Sequence, residues 1–361
     1  MKNKNIYWMM ITILLLSIIH CSAGTPAYRD LIWKKRGVSS LETINLGGHP
    51  HSVLIRGTNT ANPLLVTLHG YAIPMMPFAH LDYATRKPKD DITGIMEQNF
   101  ILVNYDQRGT GKTARHEAPK SSMNINQFVL DAEELIVKML RRYQKKKVIL
   151  LGISWGSLIG AKLVQKRPNL FYAFISEGQA VNLSESLKDS FDFSIKNAKK
   201  DQNKEAINEL SNALIPKPEM SAETIKKNQE LILKWTEYYA QKKYNLMELS
   251  SFFLKSIWDS PEYSFLDMMS TLQAIDTFTL ATNKELMQKD LRIEVPELKV
   301  PVYFLMGEYD IMRFAAKDYF IKLKSPKKEW IEIPKAGHSV SADQPKKVLH
   351  FYLRKIRPLI K

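Results

Sequence analysis

A single cysteine, Cys21, stands in a chain of 361 residues, so an internal disulfide is excluded. Metal-ligand patterning is missing as well. The histidines are His20, His49, His51, His69, His80, His116, His338 and His350, and none shows an H-E-x-x-H or comparable spacing. The close pair in His49-Pro50-His51 reads as a solvated hairpin turn rather than two ligands. There is no phosphate loop either. Gly111-Lys112-Thr113 does follow the apolar strand Phe100 to Val103, but G-x-x-x-x-G-K-[ST] needs glycine where Asp106 stands. No cofactor and no metal are expected. Acidic residues are outnumbered, 37 against 52 lysines and arginines, for a net charge of +15. That excess suits an anionic membrane surface or an acidic substrate, while nothing in its pattern points to nucleic-acid readout. The cluster Arg141-Arg142-Tyr143-Gln144-Lys145-Lys146-Lys147 ends a predicted helix from about Gln127. Phe128, Ala132, Leu135, Met139 and Tyr143 share that helix's apolar face, so the cluster reads as a solvated helix end that complements the dipole.

What is present is a chain long and apolar enough, at 45% hydrophobic residues, to bury a full enzyme core. Its most informative stretch is Val148-Ile149-Leu150-Leu151-Gly152-Ile153-Ser154-Trp155-Gly156. A buried strand runs into a G-x-S-x-G turn, and Leu158, Ala161, Leu163 and Val164 continue as a helix stopped by Arg167-Pro168. A serine on such a sharp strand-to-helix turn is a candidate nucleophile, and the glycines two before and two after it let neighbouring backbone approach. Ser154 is a weak nucleophile without a histidine base, and the histidine needs a carboxylate to fix its tautomer. In the expected chain order the acid follows, then the histidine. Asp310 lies just past the strand Pro301 to Met306, and His338 follows the strand Trp330 to Ile333 in the same way. Glu308, two residues before Asp310, is the fallback acid. Glu332, inside a strand, and His116, in a polar loop, are the weaker competitors.

These motifs together resemble the α/β-hydrolase fold, and within it the proline iminopeptidase-like serine hydrolases. Asn104-Tyr105-Asp106-Gln107-Arg108-Gly109-Thr110-Gly111 is similar to that family's D-Q-R-G-x-G-x-S segment. Pro63-Leu64-Leu65-Val66-Thr67-Leu68-His69-Gly70 stands where the family has an apolar strand before H-G-G-P-G. The resemblance runs from about Leu41 to the C-terminus and is weakest between about Asn182 and Glu294. It implies an oxyanion hole made by the backbone N–H groups of Tyr71 and Trp155. The loop departs from the family, however, reading His69-Gly70-Tyr71-Ala72-Ile73. The Tyr71 ring and Ile73 are expected to fill space that glycines leave open, altering acyl-group specificity or impairing catalysis. His69 is expected to organise backbone, and Arg108 and Gly109 to shape the neighbouring loop.

The expected fold class is α/β, a mostly parallel sheet with helices on both faces and an inserted helical cap. Strands are expected at Thr43 to Leu46, Ser52 to Arg56, Leu64 to Leu68, Phe100 to Tyr105, Val148 to Leu151, Phe171 to Ser176, Val302 to Met306 and Trp330 to Ile333. The partition is 1–23 as a signal peptide or membrane anchor, 24–181 as core, 182–292 as cap and 293–361 as the rest of the core. Met1 to Asn5 is basic, Ile6 to Ile19 is apolar, and Cys21-Ser22-Ala23-Gly24 is small, as in an export signal. Export places the mature domain outside the cytoplasm, secreted, periplasmic or anchored through its N-terminus. Cleavage after Ala23, lipid attachment at Cys21 and an uncleaved anchor all remain open.

The resemblance implies a small peptide substrate and release of its N-terminal residue, with Glu177, Asp259 and Glu262 as candidates to hold the free amine. Glu177 follows a core strand and has an equally good alternative role, capping a helix or pairing with a lysine. The alternatives to a peptidase are a carboxylesterase acting on small acyl esters and a surface-anchored binding protein that has lost turnover.

Overall fold

The computed structural model describes residues 37–360 apart from 73, 75–91, 247–252, 255, 259 and 261. The segment 1–23, with Cys21, lies outside the described residues. Among those described, no helix is long and apolar enough to cross a membrane.

Apolar runs bounded by turns become strands: β1 (Val38–Leu46), β2 (His49–Gly57), β3 (Leu64–Leu68), β4 (Ile101–Tyr105), β5 (Val148–Ile153), β6 (Phe171–Glu177), β7 (Val302–Gly307) and β8 (Lys328–Ile333). They form one sheet in the order β1-β2-β4-β3-β5-β6-β7-β8. β1 pairs antiparallel with β2, and β2 with β4; every later pair is parallel. Parallel strands need crossovers that cover both faces, which is why β3, β4 and β7 are buried along their whole length.

The helices are α1 (Ile92–Asn99), α2 (Ile125–Arg142), α3 (Trp155–Lys166), α4 (Leu183–Lys200), α5 (Lys204–Ser211), α6 (Ala222–Tyr244), α7 (Phe265–Leu286), α8 (Leu291–Glu294), α9 (Arg313–Lys322), α10 (Val340–Asp343) and α11 (Pro345–Phe351). α2 and α3 pack one face of the sheet through Phe128, Leu135, Leu158 and Leu163 against Val66, Leu150 and Phe304. The opposite face carries Ile149, Ile175 and Tyr303 against Val348, Phe351 and Tyr352. Caps mark the helix starts. Asn124 accepts from Gln127 N–H at the head of α2, Asn182 from Glu185 N–H at α4, and Ser264 with Asp267 closes a capping box at α7.

The hairpin turn was expected at His49-Pro50-His51, but it falls on Gly47-Gly48, with φ of 55° and 74°. A two-residue hairpin favours positive φ at both central positions, and glycine takes it without a steric cost. The histidines are therefore in β2 and buried, not in a solvated loop, and His51 Nε2 lies 3.4 Å from Asp131.

Between β6 and β7 the described residues include α4 to α8, and polar contacts from the segment after β4 fasten α7. Lys112 Nζ donates to Asp267 Oδ2 at 2.5 Å and to Glu262 O at 3.0 Å, and Arg115 reaches Asp267 Oδ1 at 3.2 Å. Tyr263 donates its hydroxyl to Asp106 Oδ2, which also accepts Lys112 N–H at 2.7 Å. Asp106 is fully buried, its Oδ1 has no partner among the described residues, and burial raises its pKa to about 7. The Tyr263 and Lys112 hydrogen bonds and the Lys112 charge oppose that rise, whereas the Asp267 charge adds to it.

A carboxyl raised above its unfolded value of about 4 contributes stability below that pH and loses it as pH rises through about 7. Asp106→Asn keeps the acceptor for Tyr263 and Lys112 while removing this titration. Thermal unfolding followed from pH 4 to pH 8 should show a flatter profile for the variant than for the wild type; identical profiles contradict the buried-acid assignment.

Candidate active site

Ser154 stands alone between β5 and α3, with φ 50° and ψ −115°. For a residue with a Cβ this left-handed backbone costs of order 1–3 kcal/mol and persists only where surroundings impose it. They do so here. Ser154 N–H donates to Glu177 O at 2.8 Å, and Ser154 O accepts Ser157 N–H at 2.8 Å and Ser157 Oγ at 2.5 Å. The flanking glycines are needed for space. A Cβ on Gly152 would lie 2.6 Å from Gly156 O, and one on Gly156 would run into the Leu68 carbonyl at the end of β3.

As the residue preceding α3, a serine would ordinarily turn its hydroxyl onto the first helical amides. Ser154 makes no such bond. Its Oγ instead lies 2.9 Å from His338 Nε2, while His338 Nδ1 lies 2.9 Å from Asp310 Oδ2. A carboxylate at Nδ1 requires the proton there, leaving Nε2 to accept from the serine. Asp310 is itself fixed, since Oδ1 accepts Met312 N–H at 2.9 Å and the residue is 3% exposed. Burial lowers the His338 pKa, but the charge and hydrogen bond of Asp310, with the Glu177 charge behind, more than reverse this and hold it above 6.5.

The competitors sit elsewhere. Glu308 Oε2 accepts Lys335 N–H at 3.0 Å, Glu332 faces Arg313 at 3.1 Å, and His116 is exposed in its loop.

Gly70 passes close to the serine, a Cβ on it falling 3.8 Å from Ser154 Cβ. The next amide, Tyr71 N–H, and the first amide of α3, Trp155 N–H, have no hydrogen-bond partner among the described residues. Tyr71 keeps a non-positive φ, while Ala72 takes φ 52°, a value closed to the proline of the H-G-G-P-G pattern. The space that the Tyr71 ring fills lies toward Trp155 and α7. The ring packs edge-on against Trp155 and Phe278, and its hydroxyl reaches α7. Ile73 lies outside the described residues.

His69 has a backbone-organising geometry. Its Nε2 accepts Gln107 N–H at 2.9 Å, so Nδ1 carries the proton and donates to Gly70 O at 2.8 Å. Burial lowers its pKa to about 4, which keeps it neutral. Arg108 forks onto both oxygens of Asp131 at 3.0 Å and reaches Leu46 O at 3.2 Å, tying its loop to α2 and β1.

Glu177 requires a correction. The candidate amine holder is 1% exposed, and its carboxylate accepts Ser341 N–H at 2.7 Å and Ser341 Oγ at 2.6 Å, at the start of α10. The helix-capping alternative is the one the geometry realises, because a carboxylate satisfies orphan amides at a helix start. Glu262 is buried as well, with Oε1 3.6 Å from Arg56 Nη2, and Asp259 lies outside the described residues.

Gln107 received no role from sequence. Its Oε1 accepts the Trp155 indole N–H at 3.1 Å, and its Nε2 donates to His69 O at 3.0 Å, so one amide joins the two loops. The available signal was the D-Q-R-G segment itself, which follows β4 directly beside β3.

The chain belongs to the α/β hydrolase fold family, whose sequence model matches residues 88–345, and is a hydrolase. It is 26% identical over 318 residues to the probable aminopeptidase YbaC of Bacillus subtilis (strain 168), covering 87% of this chain and 95% of that protein. Among solved structures it is similar to the proline iminopeptidase of Mycobacterium smegmatis, with a TM-score of 0.58 at 16% identity over 89% of this chain and 98% of that one. An esterase from Exiguobacterium antarcticum gives a TM-score of 0.54 at 17% identity over 87% and 98% of the two chains. At such identities the two structures speak for the fold alone.

Since Asp310 holds the His338 pKa up, Asp310→Asn should move the imidazole titration, followed by NMR, to lower pH than in the wild type. An unmoved midpoint would show that the 2.9 Å contact does not persist in solution.

Proposed function

We propose that this hydrolase is an aminopeptidase of proline iminopeptidase type, releasing N-terminal residues from short peptides by acyl transfer through Ser154, His338 and Asp310. The observation that carries the chemistry is the unbroken relay of two 2.9 Å contacts from Ser154 Oγ through the imidazole to Asp310. Ser154 Oγ attacks the carbonyl carbon as Nε2 takes its proton. The imidazolium that forms is stabilised by Asp310 and returns the proton to the leaving amine, freeing it and leaving an ester on Ser154. Water, deprotonated by the same nitrogen, then hydrolyses that ester. Tyr71 N–H and Trp155 N–H face the developing oxyanion, and the dipole of α3 favours the charge. The helical segment 182–292 is the cap that selects substrates. Export through residues 1–23 completes this reading and sets the compartment in which peptides are met.

The choice of peptide over ester rests on the likeness to the probable aminopeptidase, which spans 95% of that protein. One observation favours the ester alternative: Glu177, the nominated amine holder, is buried against Ser341. Purified protein should therefore be assayed on aminoacyl-arylamides, prolyl included, beside short-chain aryl esters. Arylamide turnover that vanishes in a folded Ser154→Ala variant is expected, with Asp310→Asn lowering kcat by ~10⁴. Turnover of esters alone makes the enzyme a carboxylesterase, and turnover of neither moves the reading to a binding protein.

A further inference from the structure

The loop that departs most from its family carries a side chain whose hydrogen-bond partners among the described residues lie on α7. The Tyr71 hydroxyl is 2.6 Å from Asn283 Oδ1, 2.9 Å from Thr282 Oγ1 and 3.4 Å from Thr279 O, all on α7. Thr282 donates its own proton to Phe278 O at 2.8 Å, so toward the tyrosine it can only accept, and the shortest of the tyrosine's contacts is its donation to Asn283 Oδ1. Thr282 and Asn283 are fully buried, and burial raises the Tyr71 pKa to about 12, which keeps the hydroxyl a donor. The ring meets Phe278 with centroids 5.1 Å apart and Trp155 at 5.8 Å, both edge-on, and Trp155 meets Phe278 at 5.8 Å. Thus Tyr71 and Trp155, the two residues whose amides have no partner among the described residues, are packed against each other and against Phe278 of α7.

We propose that Tyr71 is a positioning residue. Its ring and hydroxyl act as a strut between α7 and the oxyanion loop, so the Tyr71 amide is correctly aimed only while α7 is docked. Three features of the geometry require such a strut. The loop keeps Gly70 but has Tyr71, Ala72 and Ile73 where its family pattern has glycine, proline and glycine. It turns through a left-handed alanine, Ala72, at φ 52°, directly after the amide in question. Its Tyr71 side chain is anchored more than 200 residues away in sequence. An oxyanion donor misplaced by a fraction of an ångström loses transition-state stabilisation without loosening the ground state, which places the effect in kcat.

This inference rests on the acyl-transfer reading above. Tyr71→Phe keeps the ring and removes the anchor, and Asn283→Ala removes the anchor from the other side. Each should lower kcat by roughly 10- to 100-fold with KM changed by less than about twofold, and the acid limb of the pH profile, set by His338, should stay in place. The double variant should be no worse than the worse single one, because both cut the same bond. Folded variants with wild-type kcat, or with the loss confined to KM, overturn the proposal while leaving the hydrolase reading intact. A wild-type protein inactive on every acyl substrate overturns the hydrolase reading first.

Discussion

The left-handed backbone at Ser154 is the constraint on which the rest of the site depends. It exists because Gly152 and Gly156 let β5, β3 and α3 meet at separations no Cβ tolerates. The same turn has three consequences. It lifts the hydroxyl off the head of α3, points it at His338, and leaves the Trp155 amide without a partner among the described residues. The strained backbone, the aim of the hydroxyl and the unpartnered amide thus arise from one packing contact, and the sheet sets what faces it: β6, β7 and β8 follow β5 in parallel, and Asp310 and His338 lie beyond the carboxyl ends of β7 and β8.

Around that turn a polar layer joins the core to the helical insertion. Gln107 ties the Trp155 indole to His69, Arg108 ties its loop to Asp131, and Lys112 ties it to Asp267. Arg108, Asp131 and Asp267 are buried with a partner in place and Lys112 is half-buried, and losing one side of a buried pair costs more than the pair contributes. Asp106 is the exception, with one oxygen unpaired and a raised pKa. Tyr71 adds an aromatic and hydrogen-bonded link from the loop after β3 to α7.

The strands were legible because buried parallel strands are short continuous apolar runs between turn residues, and all eight appear within two or three residues of their expected positions except β1, which starts at Val38. The spacing of Ser154, Asp310 and His338 relative to strand ends was legible for the same reason. What sequence did not disclose was the direction of side chains. His49 and His51 look like a polar turn until Gly47-Gly48 is seen to make the turn instead. Glu177 was expected just past a strand, but it is the last residue of β6, and its place in the pleat turns it to Ser341. Tyr71 read as an intruder in the cleft because its partners, Thr282 and Asn283, lie in the stretch where the family resemblance is weakest.

The most direct test of the site is covalent. The purified protein, treated with a fluorophosphonate probe and mapped by mass spectrometry of its peptides, is expected to carry the label on Ser154, with the Ser154→Ala variant unlabelled. A folded protein that takes no label, or takes it on another residue, contradicts the assignment of Ser154 as an activated nucleophile.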